Sequence, residues 1–158
     1  MTSTSTAQSD VPTQGVPTQL SHVALRVRDV DRSVQFYTEV VGLKLRHRGR
    51  GAAFLGIRPE ASHELALFPL GDDAPGPEQT RVGMYHMAWE MPSFADLEQL
   101  HLRLLASGAQ IAGYADTSCN VMFLDPDGNE LEAFLDLSPE ERTKLAEANG
   151  GSLPRLQR

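Results

Sequence analysis

Cysteine is almost missing from this chain of 158 residues: Cys119 stands alone, which excludes an intrachain disulfide and any zinc site built on several thiolates. Long apolar runs are missing as well. None approaches the ~18 residues of a spanning helix, so no membrane partner is expected. Basic residues are scarce beside acidic ones, 14 against 21, and a net charge of -7 repels a phosphate backbone. Nucleic-acid binding is therefore not expected. Residues 1 to 18 hold no Lys or Arg and are rich in Ser, Thr, Gln and Pro, which reads as a disordered tail and not as a secretion signal. With the single thiol, this fits a cytoplasmic protein. What the chain does have is 41% hydrophobic residues, enough for one sizeable core.

The apolar residues are punctuated in a pattern that occurs twice. Leu20 to Arg28 alternates with the period of a half-buried strand. Asp29 or Asp31 then offers an N-cap, Val34, Tyr37 and Val41 follow at helical spacing, and Gly42 stands where a C-cap glycine belongs. Strand-like runs follow at Leu43 to Arg48, Ala52 to Ile57 and His63 to Phe68. After a loop holding Gly71, Pro75, Gly76 and Pro77, the order restarts. Met84 to Met91 alternates, Ser93 and Asp96 resemble a capping box, and Leu97, Leu100 and Leu104 form a helical stripe ending near Gly108. Strands are predicted over Gln110 to Tyr114, Val121 to Leu124 and Glu130 to Leu135, the last two joined by Asp125-Pro126-Asp127-Gly128. Each half reads βαβββ. Laying Ser21-His22-Val23-Ala24 over Tyr85-His86-Met87-Ala88 gives a period of 64 residues. Module 1 is expected over about 19–70, module 2 over about 83–136, and one domain over 19–136. Ser138 and Pro139 open a terminal helix running to Ala148, with a tail that frays from Gly150.

This duplication singles out His22 and His86, which occupy the same place in the two halves. Each lies in a first strand on the face opposite the large apolar side chains. Glu132, in the last strand, alternates with Glu130 and Phe134, leaving Leu131, Ala133 and Leu135 to face the helices. Two imidazoles and one carboxylate from three strands form a facial set that suits Fe(II) or Mn(II) with coordination positions left open.

The stretch Leu20-Ser21-His22-Val23-Ala24-Leu25-Arg26-Val27-Arg28-Asp29, followed by Ser33 to Leu43, resembles the opening of the vicinal oxygen chelate superfamily. Phe123-Leu124-Asp125-Pro126-Asp127-Gly128-Asn129-Glu130-Leu131-Glu132 is similar to its closing hairpin, whose final Glu is a metal ligand. The resemblance implies an α+β fold in which two βαβββ modules form a cupped mixed β-sheet around a metal site, helices on the outer face. It implies a divalent metal on His22, His86 and Glu132, Fe(II) first, with Mn(II), Ni(II) or Zn(II) as alternatives. A homodimer or higher homo-oligomer is expected, with the modules pairing either within one chain or across subunits.

The superfamily holds several chemistries. Its four-ligand members take the fourth ligand from module 1, where laying Glu64-Leu65-Ala66-Leu67-Phe68 over Glu130-Leu131-Glu132-Ala133-Phe134 puts Ala66; Glu64 would need a register shift to substitute. His63-Glu64-Leu65-Ala66-Leu67-Phe68 resembles the segment of extradiol ring-cleaving dioxygenases in which the His is an acid/base. The resemblance then implies a small aromatic or vicinal-oxygen substrate, chelated through adjacent oxygens, and dioxygen as co-substrate, with His63 moving protons. One geometric condition attaches: His63 is an odd number of residues from Ala66, so it reaches the site only from the mouth of the strand or a bulge. Asn120, Met122 and Phe134 are the expected substrate contacts, Met122 standing where that branch commonly carries a tyrosine; Tyr114 or Tyr85 is a candidate to compensate. The alternatives are a glyoxalase-like lyase or isomerase, a thiol transferase of the same fold, and a drug-sequestering protein. His47, amid Arg46, Arg48 and Arg50, His101 on the second helix and the lone Cys119 are read as outside the metal set.

Overall fold

Alternation from Leu20 produces a strand, but a shorter one, β1 (Val23–Val27), so His22 lies just before it. A computed structural model describes residues 15–115 and 119–157; the tail expected over 1–18 thus lies largely outside the described residues. Asp29 caps the first helix, its side chain accepting from Asp31 N and Arg32 N, and α1 (Val30–Gln35) continues as a π-helical segment over Phe36–Val41. Gly42 ends it in the left-handed region at φ 99°, the conformation glycine adopts without a Cβ penalty. β2 (Lys44–Gly49), β3 (Ala52–Gly56) and β4 (Leu65–Pro69) complete module 1. Module 2 repeats the order with β5 (His86–Glu90), α2 (Phe94–Ser107), β6 (Ile111–Gly113), β7 (Asn120–Leu124) and β8 (Glu130–Phe134). The terminal helix α3 (Pro139–Ala148) has the expected bounds, with a reciprocal capping box between Ser138 and Glu141.

The strands form two mixed sheets of four, ordered β1-β4-β3-β2 and β5-β8-β7-β6, with the outer pairs β1–β4 and β5–β8 parallel. This identity of topology establishes the duplication. One face of each sheet packs against the helices: Val27, Leu55, Leu65 and Leu67 in the first, Val121, Phe123, Leu131 and Ala133 in the second, all at 1% exposure or less. Leu97, Leu100 and Leu104 cover the second sheet, and their burial contributes about 1.5–3 kcal/mol each.

The two modules join through this helix side. The rings of Phe36 and Phe123 lie 6.4 Å apart, and Arg103 donates to the Val40 carbonyl at 2.8 Å. The turn that closes the last hairpin completes the joint. Buried Tyr37 donates its hydroxyl to Asp125 Oδ2 at 2.9 Å, while buried Asp127 accepts from Arg32 (2.7 Å), Arg28 (3.1 Å) and the Ser33 hydroxyl (3.4 Å). Both opposite sheet faces are thereby turned away from the joint. The segment expected to fray is instead packed: Leu156 is buried, Leu153 lies against the core, and the Cys119 thiol donates to the Pro154 carbonyl. Apolar side chains at 153 and 156 supply the burial that a polar tail would lack.

No helix among the described residues is long and apolar enough to cross a membrane.

Candidate metal centre

Strand register assigns the outward faces. In the first sheet Ala24, Ala66, Phe54 and His47 form one row across the four strands. The corresponding row of the second sheet is Ala88, Glu132, Met122 and Gly113. Ala66 and Glu132 are therefore structural equivalents, and module 1 carries a methyl group where module 2 carries a carboxylate. Glu64 does not make up for this. Its two oxygens are taken by Arg58 Nε at 2.6 Å and Ile57 N at 2.9 Å. Burial pushes its carboxyl up, but the hydrogen bonds from Arg58 and Ile57 and the Arg58 charge outweigh this and hold it below the ordinary range.

On the second sheet, His86 Nε2 stands 3.3 Å from Glu132 Oε2. Two donors at right angles around a divalent ion, each about 2.1 Å from it, lie about 3 Å apart, so this separation fits one edge of a coordination shell. His86 Nδ1 is buried and has no hydrogen-bond partner. The Nε2 of His86 beside a carboxylate oxygen of Glu132 is a donor pair suited to an Fe(II)- or Mn(II)-like ion.

On the first sheet, His63 satisfies its geometric condition. It precedes β4, at the mouth of the strand, and its ring lies 4.6 Å from that of exposed His22 and 5.0 Å from that of Phe54. Ser62 Oγ lies 3.0 Å from its Nδ1. Phe54 is the centre of an aromatic bed that the alternation of Ala52, Phe54 and Gly56 signals in the sequence. Its ring meets His63 and Phe68 edge-on and stacks with His47 at 5.9 Å and 29°. A β-bulge at Arg46 brings His47 to this face, while Arg46 turns to the carbonyls of Ile57 and Arg58.

The chain thus brings together His22 with His63, and His86 with Glu132, but does not bring the two pairs together. Among the described residues no three His, Cys, Asp or Glu side chains are grouped to hold one ion. Met122 lies directly across from Glu132 and Phe134 two residues along β8, both half-buried, whereas Asn120 is 6% exposed and bonded to Glu132. Tyr85 is exposed, with its ring 5.0 Å from that of His86. Tyr114 points to the helix side, where its hydroxyl lies 2.9 Å from His101 Nε2. Burial of His101 lowers its pKa, and burial raises that of the Cys119 thiol.

Two βαβββ modules with matched histidines on their outward faces define the glyoxalase-type class, and residues 19–133 match the Glyoxalase/Bleomycin resistance protein/Dioxygenase superfamily. The chain belongs to that superfamily. It is 29% identical over 133 residues to biphenyl-2,3-diol 1,2-dioxygenase 3 of Rhodococcus globerulus, covering 81% of this chain and 70% of that protein. It is 27% identical over 135 residues to metapyrocatechase of Geobacillus stearothermophilus, where the match spans 80% of this chain but only 39% of the relative. Among solved structures, the glyoxylase/bleomycin resistance protein/dioxygenase domain from Frankia sp. EAN1pec is 31% identical with a TM-score of 0.63, covering 76% of this chain and 98% of that one.

Proposed function

We propose that this protein is an extradiol-type ring-cleaving dioxygenase with Fe(II) as its metal, acting in the cytoplasm on a small aromatic or vicinal-oxygen substrate and dioxygen. The observation that carries this reading is His63: it stands against His22 on the outward face, while the fourth-ligand place on the same face is Ala66. His22, His86 and Glu132 would hold the metal. When bound, the metal supplies positive charge and open positions where adjacent substrate oxygens and dioxygen are held together. Phe54 offers an aromatic ring its face or edge, and Met122 and Phe134 close the apolar side. His63 takes the proton of a substrate hydroxyl at one ring nitrogen and returns it later. Its neighbour Ser62 holds the other nitrogen.

A second copy completes the site in this reading. Among the described residues β1 and β5 each lie at the edge of their sheet, and each follows shortly after an exposed apolar residue at equivalent positions, Leu20 and Met84. Unpaired edges carrying apolar side chains favour association. A two-fold pairing sets the first sheet of one copy beside the second sheet of the other, bringing His22 to His86 and Glu132 twice per dimer.

Protein purified without oxygen is expected to contain Fe, and to consume dioxygen with a member of a panel of aromatic diols. Bound Ni or Zn with turnover of hemithioacetals and no oxygen uptake would assign the chain to the lyases of the superfamily instead. His63→Gln is expected to retain the metal and lose about 10²-fold or more in kcat, as read by steady-state oxygen uptake. An unchanged kcat removes its role as acid and base.

A further inference from the structure

Asn120 has a place in the site that contact with substrate does not account for. Although it lies on the outward face of β7, it is 6% exposed, and its amide oxygen and nitrogen each hold a partner. Its Oδ1 accepts from Ala115 N at 2.7 Å, and its Nδ2 donates to Glu132 Oε1 at 2.6 Å. The other carboxylate oxygen, Oε2, is the one facing His86. The two oxygens of Glu132 are therefore divided between an amide and the imidazole side.

The duplication supplies an independent comparison. Met122 lies opposite Glu132, as Phe54 lies opposite Ala66, so the module 1 counterpart of Asn120, two residues earlier on its strand, is Ala52. The module with the carboxylate has the amide, and the module without the carboxylate has alanine at both places. A polar side chain serving only the fold of this hairpin has no reason to disappear together with a carboxylate on the neighbouring strand. A buried amide that serves the carboxylate does.

We infer that Asn120 is a positioning residue that fixes Glu132 to bind the metal through Oε2 alone. The physical reason lies in the geometry of the amide. Turning the amide would break the bond from the Ala115 backbone to its oxygen, which holds the N–H aimed at Oε1. Donation to Oε1 keeps that oxygen from swinging round to join Oε2 on the ion, which leaves one more coordination position open. It also keeps the half-buried carboxylate oriented before metal arrives, so ordering is not paid at the binding step. This inference rests on Glu132 being a ligand, as proposed above.

The test uses the full chain, prepared metal-free, with Mn(II) as the probe and free Mn(II) read by electron paramagnetic resonance. Asn120→Ala is expected to weaken Mn(II) binding by about 10- to 100-fold. In a Glu132→Ala background the same change is expected to alter it by less than about 2-fold, because the residue through which Asn120 acts is gone. Asn120→Leu, which preserves side-chain volume, should behave like Asn120→Ala and serves if the smaller variant does not fold. With Co(II) in place of Mn(II), the visible absorption of Asn120→Ala should weaken, as a second carboxylate oxygen raises the coordination number. Equal losses in both backgrounds would mean that Asn120 supports only the fold, and unchanged Mn(II) affinity would remove its role altogether; either overturns the inference while the metal site stands. Full Mn(II) binding by Glu132→Ala alone would overturn the metal site itself.

Discussion

Co-expression of His22→Ala and Glu132→Ala chains is expected to restore about a quarter of wild-type oxygen uptake, although each variant alone is inactive: half of random dimers are mixed, and each mixed dimer holds one intact site of two. The recovery follows from where the lesions fall. In the proposed pairing, the first sheet of the Glu132→Ala copy, which still carries His22, would face the second sheet of the His22→Ala copy, which still carries His86 and Glu132. The partner site collects both lesions and is dead. Differently tagged copies isolated by tandem purification should contain one metal ion per dimer, against two in the wild type. Inactive single variants with no recovery on co-expression would place the three ligands in one chain after a rearrangement of its modules. Active single variants would mean that these residues are not the site.

Asp125→Ala is expected to be the most damaging single substitution for stability, costing on the order of 3–5 kcal/mol. Asp125 is 5% exposed and accepts four hydrogen bonds: from Asp127 N and Asn129 N on one oxygen, from Asn129 Nδ2 and the Tyr37 hydroxyl on the other. Alanine leaves a fully buried phenol without an acceptor and loosens the turn that also carries Asp127. The loss is to be measured by urea unfolding at fixed protein concentration, since association contributes to stability. The same contact sets an alkaline limit. Burial first, and the charge of Asp125 second, hold the Tyr37 phenol well above its ordinary value near 10. The folded chain thus keeps this proton more tightly than the unfolded chain does. Its contribution is complete below about pH 10 and is lost as pH rises from there towards the folded value. Tyr37→Phe should flatten that part of the alkaline decline, while lowering stability at neutral pH; an unchanged decline would show that other groups govern it.

Much of this architecture is legible in the sequence because it is written twice. The equivalence of His22 and His86 needs only the 64-residue offset and the strand period, and the start of α3 follows from Ser138 and Pro139. The site is less legible where a side chain leaves the strand pattern. Parity argues against His63 facing the metal side, yet β4 begins two residues later, so parity does not govern it. Glu64 has the right parity and is drawn away by Arg58. The bond from Asn120 to Glu132 is diagonal between strands, and depends on a register that no local pattern reveals. Asp125 and Asp127 read correctly as turn residues. Their hold on Tyr37, Arg28 and Arg32 spans 88 to 99 positions of chain and has no local signature. Nor does periodicity separate a cup closed within one chain from one closed between two, since both use the same strands.

Ala66 has a consequence for what the site attracts. A divalent ion held by neutral imidazoles and two carboxylates is electrically neutral, and has little preference between a charged ligand and an uncharged one. With a methyl group in the second carboxylate's place, a divalent ion on His22, His86 and Glu132 would keep one positive charge uncompensated, since Glu64 on the same strand is already bound to Arg58. Such a centre would favour a ligand that arrives as an anion or becomes one by giving up a proton, which His63, beside His22, would take.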